Sequence, residues 1–188
     1  MDDMTAPRAT LVLGGARSGK SRIAETIARE RAGPGGALVY VATAEALDDE
    51  MRARIAAHRD ARGAGWRTID APLAVAAAIA AEARPGAAVL VDCLTLWLSN
   101  LMHRGRDIEA ETRDLVTALA AARGPVVLVA SEVGLGIVPD NALARAFRDH
   151  AGRMNQAVAA AAGRVVLVAA GLSLTLKDMS AGTAPLSG

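Results

Sequence analysis

Apolar residues fall along this chain in two alternating rhythms. Short aliphatic runs, at Thr10–Leu13, Leu38–Ala42, Ala88–Asp92, Pro125–Ala130 and Arg164–Ala169, have the length and β-branched content of strands. Longer stretches with helical spacing lie between them. Lys20–Arg31 puts Ile23, Ala24 and Ile27 on one face, and Leu47–Arg59 is rich in charge and helix formers. Leu73–Ala83 is rich in alanine, Leu94–Met102 is apolar, Ile108–Ala122 is amphipathic, and Asn141–Ala162 forms one long helix. The three internal valine-rich runs have no polar alternation, as expected for strands of a parallel sheet covered on both faces. Strand–helix alternation with right-handed crossovers then predicts an α/β protein of three layers, α/β/α, around a mostly parallel central sheet.

The 188 residues suffice for one such domain, 1–188, with an ordered core of about 9–178. Residues 1–8 and the tail after about Asp178 are expected to fray. Aromatic residues make up only 2% of the chain, so the core must be built from Ala, Val and Leu, with helices lying close to the sheet. The formal net charge of +1 gives no electrostatic reason for a nucleic acid or anionic membrane as partner. No apolar run approaches the roughly 20 residues of a membrane span. The N-terminal Met1-Asp2-Asp3-Met4 is acidic where a secretory signal would be basic. The one cysteine, Cys93, cannot form an internal disulfide, which fits a reducing cytoplasm.

The clearest chemistry lies between the first strand and the first helix. Gly14-Gly15-Ala16-Arg17-Ser18-Gly19-Lys20-Ser21 matches G-x-x-x-x-G-K-[ST] in the strand–turn–helix context the motif requires. Glycines let successive backbone N–H groups converge on phosphate oxygens, and the helix N-terminus adds partial positive charge. Lys20 can reach the β- and γ-phosphates of a nucleoside triphosphate, and the Ser21 hydroxyl can ligate Mg²⁺. The domain is therefore expected to be P-loop NTPase-like.

A second metal-shell oxygen belongs at the end of another central strand. Asp92 is the best candidate, although it could instead cap the helix that follows. Glu132 is a second acidic group expected near the same sheet edge, where ligands of parallel sheets bind. Of the three histidines, His58 sits among Arg54, Arg59 and Arg62. A neutral imidazole in that setting can attack phosphorus while guanidinium groups hold the oxygens. A solvated histidine on a charged helix explains the same residues. His103 and His150 have no comparable setting and are expected at the surface.

Several further segments occur in a telling order. They are Tyr40-Val41-Ala42-Thr43, Leu47-Asp48-Asp49-Glu50-Met51, Arg54-Ile55, His58, Trp66-Arg67-Thr68, and Val133-Gly134-Leu135-Gly136-Ile137-Val138-Pro139. After these come Leu143-Ala144-Arg145, Phe147-Arg148-Asp149 and Gly152-Arg153-Met154-Asn155-Gln156. With the phosphate loop, they resemble the bifunctional adenosylcobinamide kinase/adenosylcobinamide-phosphate guanylyltransferase family of cobalamin biosynthesis, over about residues 10–177.

The resemblance implies two reactions. ATP or GTP phosphorylates the aminopropanol hydroxyl of adenosylcobinamide. GTP then donates GMP to that phosphate through a histidine–GMP phosphoramidate, giving adenosylcobinamide-GDP and pyrophosphate. It implies that His58 is the nucleophile and Lys20 a catalytic residue. The nucleotide contacts carried over are Gly14 to Ser21 (Gly14, Gly15, Ala16, Arg17, Ser18, Gly19, Lys20, Ser21), Ala42, Thr43, Ala44, Arg59, Asp60, Ala61, Arg62, Asp70 and Asp92, with Mg²⁺ on Ser21 and Asp92. The partners implied are GTP, ATP and the corrinoid, together with further copies of the chain in a homo-oligomer, a trimer in the family.

Three readings stay open on the residues alone. The Val133–Pro139 segment is either an apolar connection packed under the next helix, or a wall for the corrinoid or a subunit contact. Arg145, Arg148 and Arg153 read as a largely solvated basic face. A nucleotide-switch protein that transfers nothing, or a small-molecule kinase without the transferase step, would also explain the phosphate loop.

Overall fold

The computed structural model of the chain describes residues 8–45 and 63–179. Twelve elements follow in chain order: β1 (Ala9–Gly14), α1 (Lys20–Ala32), β2 (Ala37–Ala42), β3 (Trp66–Asp70), α2 (Val75–Glu82), β4 (Ala87–Asp92), α3 (Leu94–His103), α4 (Ile108–Ala121), β5 (Val126–Ser131), α5 (Ala142–Ala161), β6 (Arg164–Ala169) and β7 (Leu172–Asp178). All seven strands join one sheet in the order β3-β2-β4-β5-β1-β6-β7. Every pairing is parallel except β6 with β7. The helix expected over Leu47–Arg59 lies outside the described residues, as do 1–7 and 180–188 of the ends expected to fray. Arg8 is already engaged, its carbonyl accepting from the Val126 N–H at 3.2 Å.

The two-residue period of the strands sorts side chains between two cores. Leu11, Val39, Val89, Val91, Val126 and Leu128 face the helices α2–α5. Val12, Tyr40, Leu90, Val127 and Val129 face α1. This is the three-layer arrangement expected, and the valine runs of β4 and β5 are buried on both faces. Helix α3 shows how the chain covers a sheet with few aromatics. Leu94, Trp97, Leu98 and Leu101, spaced i, i+3, i+4 and i+7, are all fully buried, and the Trp97 indole N–H donates to the Leu73 carbonyl at 2.9 Å.

Two strands are additions to the expected set. Among the described residues Trp66–Asp70 pairs only with β2, so it forms an edge, and its Arg67 and Asp70 lack the apolar continuity of a central strand. Leu172–Asp178 turns back from β6 through Ala170-Gly171 and closes the other edge antiparallel, with Leu172, Leu174 and Leu176 exposed.

Truncation in the α3 face tests this packing. Leu98→Ala is expected to lower unfolding stability by about 2–5 kcal/mol. Arg113→Ala on the exposed side of α4 should stay within about 0.5 kcal/mol of the parent. Urea unfolding monitored by circular dichroism reads both, and equal losses would contradict the layer assignment.

Candidate active site

The carboxyl ends of β1, β2, β4 and β5 lie side by side, and the sequence candidates gather there. Register pairs Gly14 with Ser131, Asp92 with Ala42 and Val129, and Ala42 with Asp70. Beyond this edge the chain leaves β1 through the phosphate loop. A Cβ on Gly14 would stand 2.5 Å from Ser18 Oγ and 2.6 Å from the Val168 carbonyl, so only glycine lets the loop fold back over its own strand. Arg17 (φ +55°) and Gly19 (φ +93°) take left-handed backbone, turning consecutive N–H groups toward one side. Helix α1 starts at Gly19 with no side-chain cap and no acidic residue in its first turn, which preserves its positive end for an anion.

The loop is braced from β6–β7. The Gly171 N–H donates to the Ser18 carbonyl at 2.9 Å, and a Cβ on Gly19 would be 3.4 Å from Gly171 Cα. Sequence reasoning passes over Gly171. Its signal is the Ala170-Gly171 turn after the β6 valine run, both residues having positive φ. The Lys20 ammonium donates to the Gly15 carbonyl at 3.2 Å. The Ser18 hydroxyl is buried with no hydrogen-bond partner among the described residues.

Asp92 ends β4 beside this loop. Its neighbour Cys93 reports the local field: burial first, and then the Asp92 charge, push the thiol above its ordinary range. The Leu96 and Thr95 N–H groups and the Lys20 ammonium pull the other way. Lys20 and Asp92 both act electrostatically on this thiol, from the same end of the sheet. Thr43 fixes the Cys93 backbone. Its fully buried hydroxyl donates to the Cys93 carbonyl at 2.8 Å and accepts from the Cys93 N–H at 2.8 Å. Asn100 donates to the Thr43 carbonyl at 2.8 Å and to the Pro72 carbonyl at 3.0 Å, tying β2 to α3. The Thr43 side chain, its N–H (to the Asp92 carbonyl at 3.4 Å) and its carbonyl are thus engaged within the scaffold, leaving any nucleotide contact there to the flanking Ala42 and Ala44.

Glu132 follows β5, which lies between β1 and β4. Its N–H donates to the Gly14 carbonyl at 3.0 Å, and its Oε1 accepts from the Gly134 N–H at 2.6 Å. Asp70 stands exposed at the end of edge strand β3, farther along the same rim. His58, Arg59, Asp60, Ala61 and Arg62 lie outside the described residues.

The loop after Glu132 does not pack under α5: Leu135 and Ile137 are 87% and 97% exposed. The basic face of α5 is only partly solvated, because Arg145 donates to the Pro139 and Asp140 carbonyls at 3.0 and 2.8 Å and so holds this loop to the helix. His103 is exposed, as expected, while His150 is half-buried.

Ser21 and Asp92 offer a hydroxyl and a carboxylate, the hard oxygen donors that suit Mg²⁺. That ion takes its remaining ligands from waters and substrate phosphates.

Comparison with known proteins agrees with this geometry. The crystal structure of the flagellar accessory protein FlaH from Methanocaldococcus jannaschii superposes with a TM-score of 0.53, covering 96% of this chain and 82% of that one. Identity is 10%, so that likeness concerns the fold alone. The bifunctional adenosylcobalamin biosynthesis protein CobP of Pseudomonas aeruginosa is 48% identical over 169 residues, spanning 89% of this chain and 96% of the relative. The bifunctional adenosylcobalamin biosynthesis protein CobU of Salmonella typhimurium is 43% identical over 182 residues, spanning 89% and 98%. The family model for cobinamide kinase / cobinamide phosphate guanyltransferase matches residues 10–176, from within β1 to within β7. The chain belongs to the cobinamide kinase / cobinamide phosphate guanyltransferase family.

Proposed function

We propose that this chain is a bifunctional enzyme that phosphorylates adenosylcobinamide with ATP or GTP and then transfers GMP from GTP to the resulting phosphate. The observation that carries the reading is the phosphate loop at the carboxyl edge of the sheet where Asp92 also ends β4, in a chain that matches the family over residues 10–176.

Both reactions use one triphosphate site, each consuming its own nucleotide. In the first, the acceptor alcohol attacks the γ-phosphorus, and Lys20 with the backbone N–H groups of Gly15–Ser21 holds the departing charge. In the second, His58 attacks the α-phosphorus, pyrophosphate leaves, and the acceptor phosphate then takes GMP from the histidine. The imidazole must come within about 3–3.5 Å of that phosphorus. Arg59 and Arg62, next to it in sequence, suit the phosphate oxygens, while Ala42–Ala44, Asp60, Ala61 and Asp70 complete the nucleotide contacts. Mg²⁺, held by Ser21 and Asp92, supplies charge neutralisation on the phosphates.

The whole chain acts as one catalytic domain in this reading. It works in the cytoplasm, consistent with the single buried thiol and with no helix among the described residues long and apolar enough to cross a membrane. The exposed apolar side chains of β7 and of the loop after Glu132 support assembly into a homo-oligomer, for which the family resemblance implies a trimer.

Incubation with α-labelled GTP is expected to leave acid-labile label on the protein, and His58→Ala should remove it while retaining phosphorylation of adenosylcobinamide. Equal labelling of the mutant would rule out His58 as the nucleophile. Lys20→Ala should lower both phosphorylation and labelling by at least about 100-fold, because positioning and charge neutralisation supply most of the rate. Full phosphorylation by Lys20→Ala would remove the shared phosphate site.

A further inference from the structure

We propose that Glu132 is the general base of the phosphorylation step, its second carboxylate oxygen taking the proton of the acceptor alcohol as that alcohol attacks the γ-phosphorus. This rests on the two-reaction reading above.

The two transfers differ in what their nucleophiles require. An alcohol holds its proton at neutral pH and must lose it as the new O–P bond forms. A neutral imidazole attacks through a free lone pair, and a phosphate acceptor is already ionised. A base is therefore needed in one reaction and idle in the other. Four acidic residues stand at or just beyond the carboxyl edge among the described residues, and one of them, Glu45 after β2, is paired with Arg104 at 2.7 Å. Asp70 ends the outermost strand, with β2, β4 and β5 between it and β1. Asp92, at the end of β4, is the carboxylate assigned to the cation in that reading.

Glu132 is placed differently. It extends from the strand between β1 and β4, and its own N–H is bound to the first residue of the phosphate loop. One carboxylate oxygen is held by the Gly134 N–H at 2.6 Å, which orients the group. The other has no hydrogen-bond partner among the described residues. A half-buried carboxylate held from the backbone, with its remaining oxygen unengaged by any described residue, is arranged to receive a proton.

The step balances. The acceptor oxygen bonds to the γ-phosphorus as its proton passes to Glu132. The bond from that phosphorus to the bridging oxygen breaks, and its electron pair leaves with the nucleoside diphosphate. Glu132 returns the proton to solvent after product departs.

The test uses the full chain with Mg²⁺, GTP and adenosylcobinamide. Glu132→Gln keeps an oxygen for the Gly134 N–H but removes the base. It is expected to lower kcat for phosphorylation by about 10²–10⁴-fold, while the rate of acid-labile labelling from α-labelled GTP stays at the parent value. Gly134→Ala, whose Cβ would stand 2.9 Å from Oε1, displaces the carboxylate without removing it and should slow phosphorylation selectively. Parent-like phosphorylation by Glu132→Gln overturns the proposal. So does an equal loss of both steps, which would make Glu132 a structural prop of the loop. Parent protein that phosphorylates but takes no label contradicts the two-reaction reading instead, and the kcat of Glu132→Gln then decides the role of Glu132 by itself.

Discussion

The absence of a side chain at Gly14 is the constraint on which the rest of this site depends. A parallel sheet ends in a row of peptide groups, and a phosphate can approach that row only where the backbone turns over its own strand. Here the Ser18 side chain and the Val168 carbonyl of β6 both crowd the space that a Cβ on Gly14 would fill. Once the turn is made, the left-handed residues Arg17 and Gly19 aim N–H groups inward, and α1 begins without a cap of its own. The neighbouring strands then supply what the loop lacks: Asp92 from β4, Glu132 beyond β5, and a brace from Gly171 after β6.

Placing opposite charges at such an edge requires a scaffold that does not yield. The Thr43 hydroxyl satisfies both the N–H and the carbonyl of Cys93, and leaving either buried group unpaired would cost about 1–3 kcal/mol. Asn100 continues the chain of contacts into α3, whose inner face is wholly apolar. In the proposed reading, the groups assigned to the phosphates are thereby fixed before any substrate arrives, as electrostatic catalysis requires. Fixed charge can serve attack at either end of a triphosphate. The nucleophile and its base then decide which phosphorus reacts.

Much of this was legible in the residues, for identifiable reasons. The central strands are uninterrupted valine-rich runs because they are covered on both faces, and that continuity marks them without ambiguity. The edge strands escape the same criterion. β3 carries Arg67 and Asp70 and pairs on one side only, while β7 follows β6 so closely that its Leu172, Leu174, Leu176 alternation is the one available signal. Lys20, Ser21 and Asp92 could be located from motif and strand ends. The internal use of Thr43 could not, because a threonine after a strand looks the same whether its hydroxyl meets a ligand or a distant peptide. The proximity of Gly171 to Gly19 is likewise a product of sheet order, which local sequence does not encode.

The central claim is that one loop, Gly14–Ser21, binds the triphosphate for both transfers. A GTP analogue with a methylene bridge between its α- and β-phosphates separates the possibilities, since it can donate its γ-phosphoryl group but cannot surrender GMP. The account predicts that the analogue blocks protein guanylylation by GTP with an inhibition constant equal, within about twofold, to its dissociation constant in phosphorylation. Undiminished guanylylation at a concentration that saturates phosphorylation would mean two separate nucleotide sites, and would contradict it.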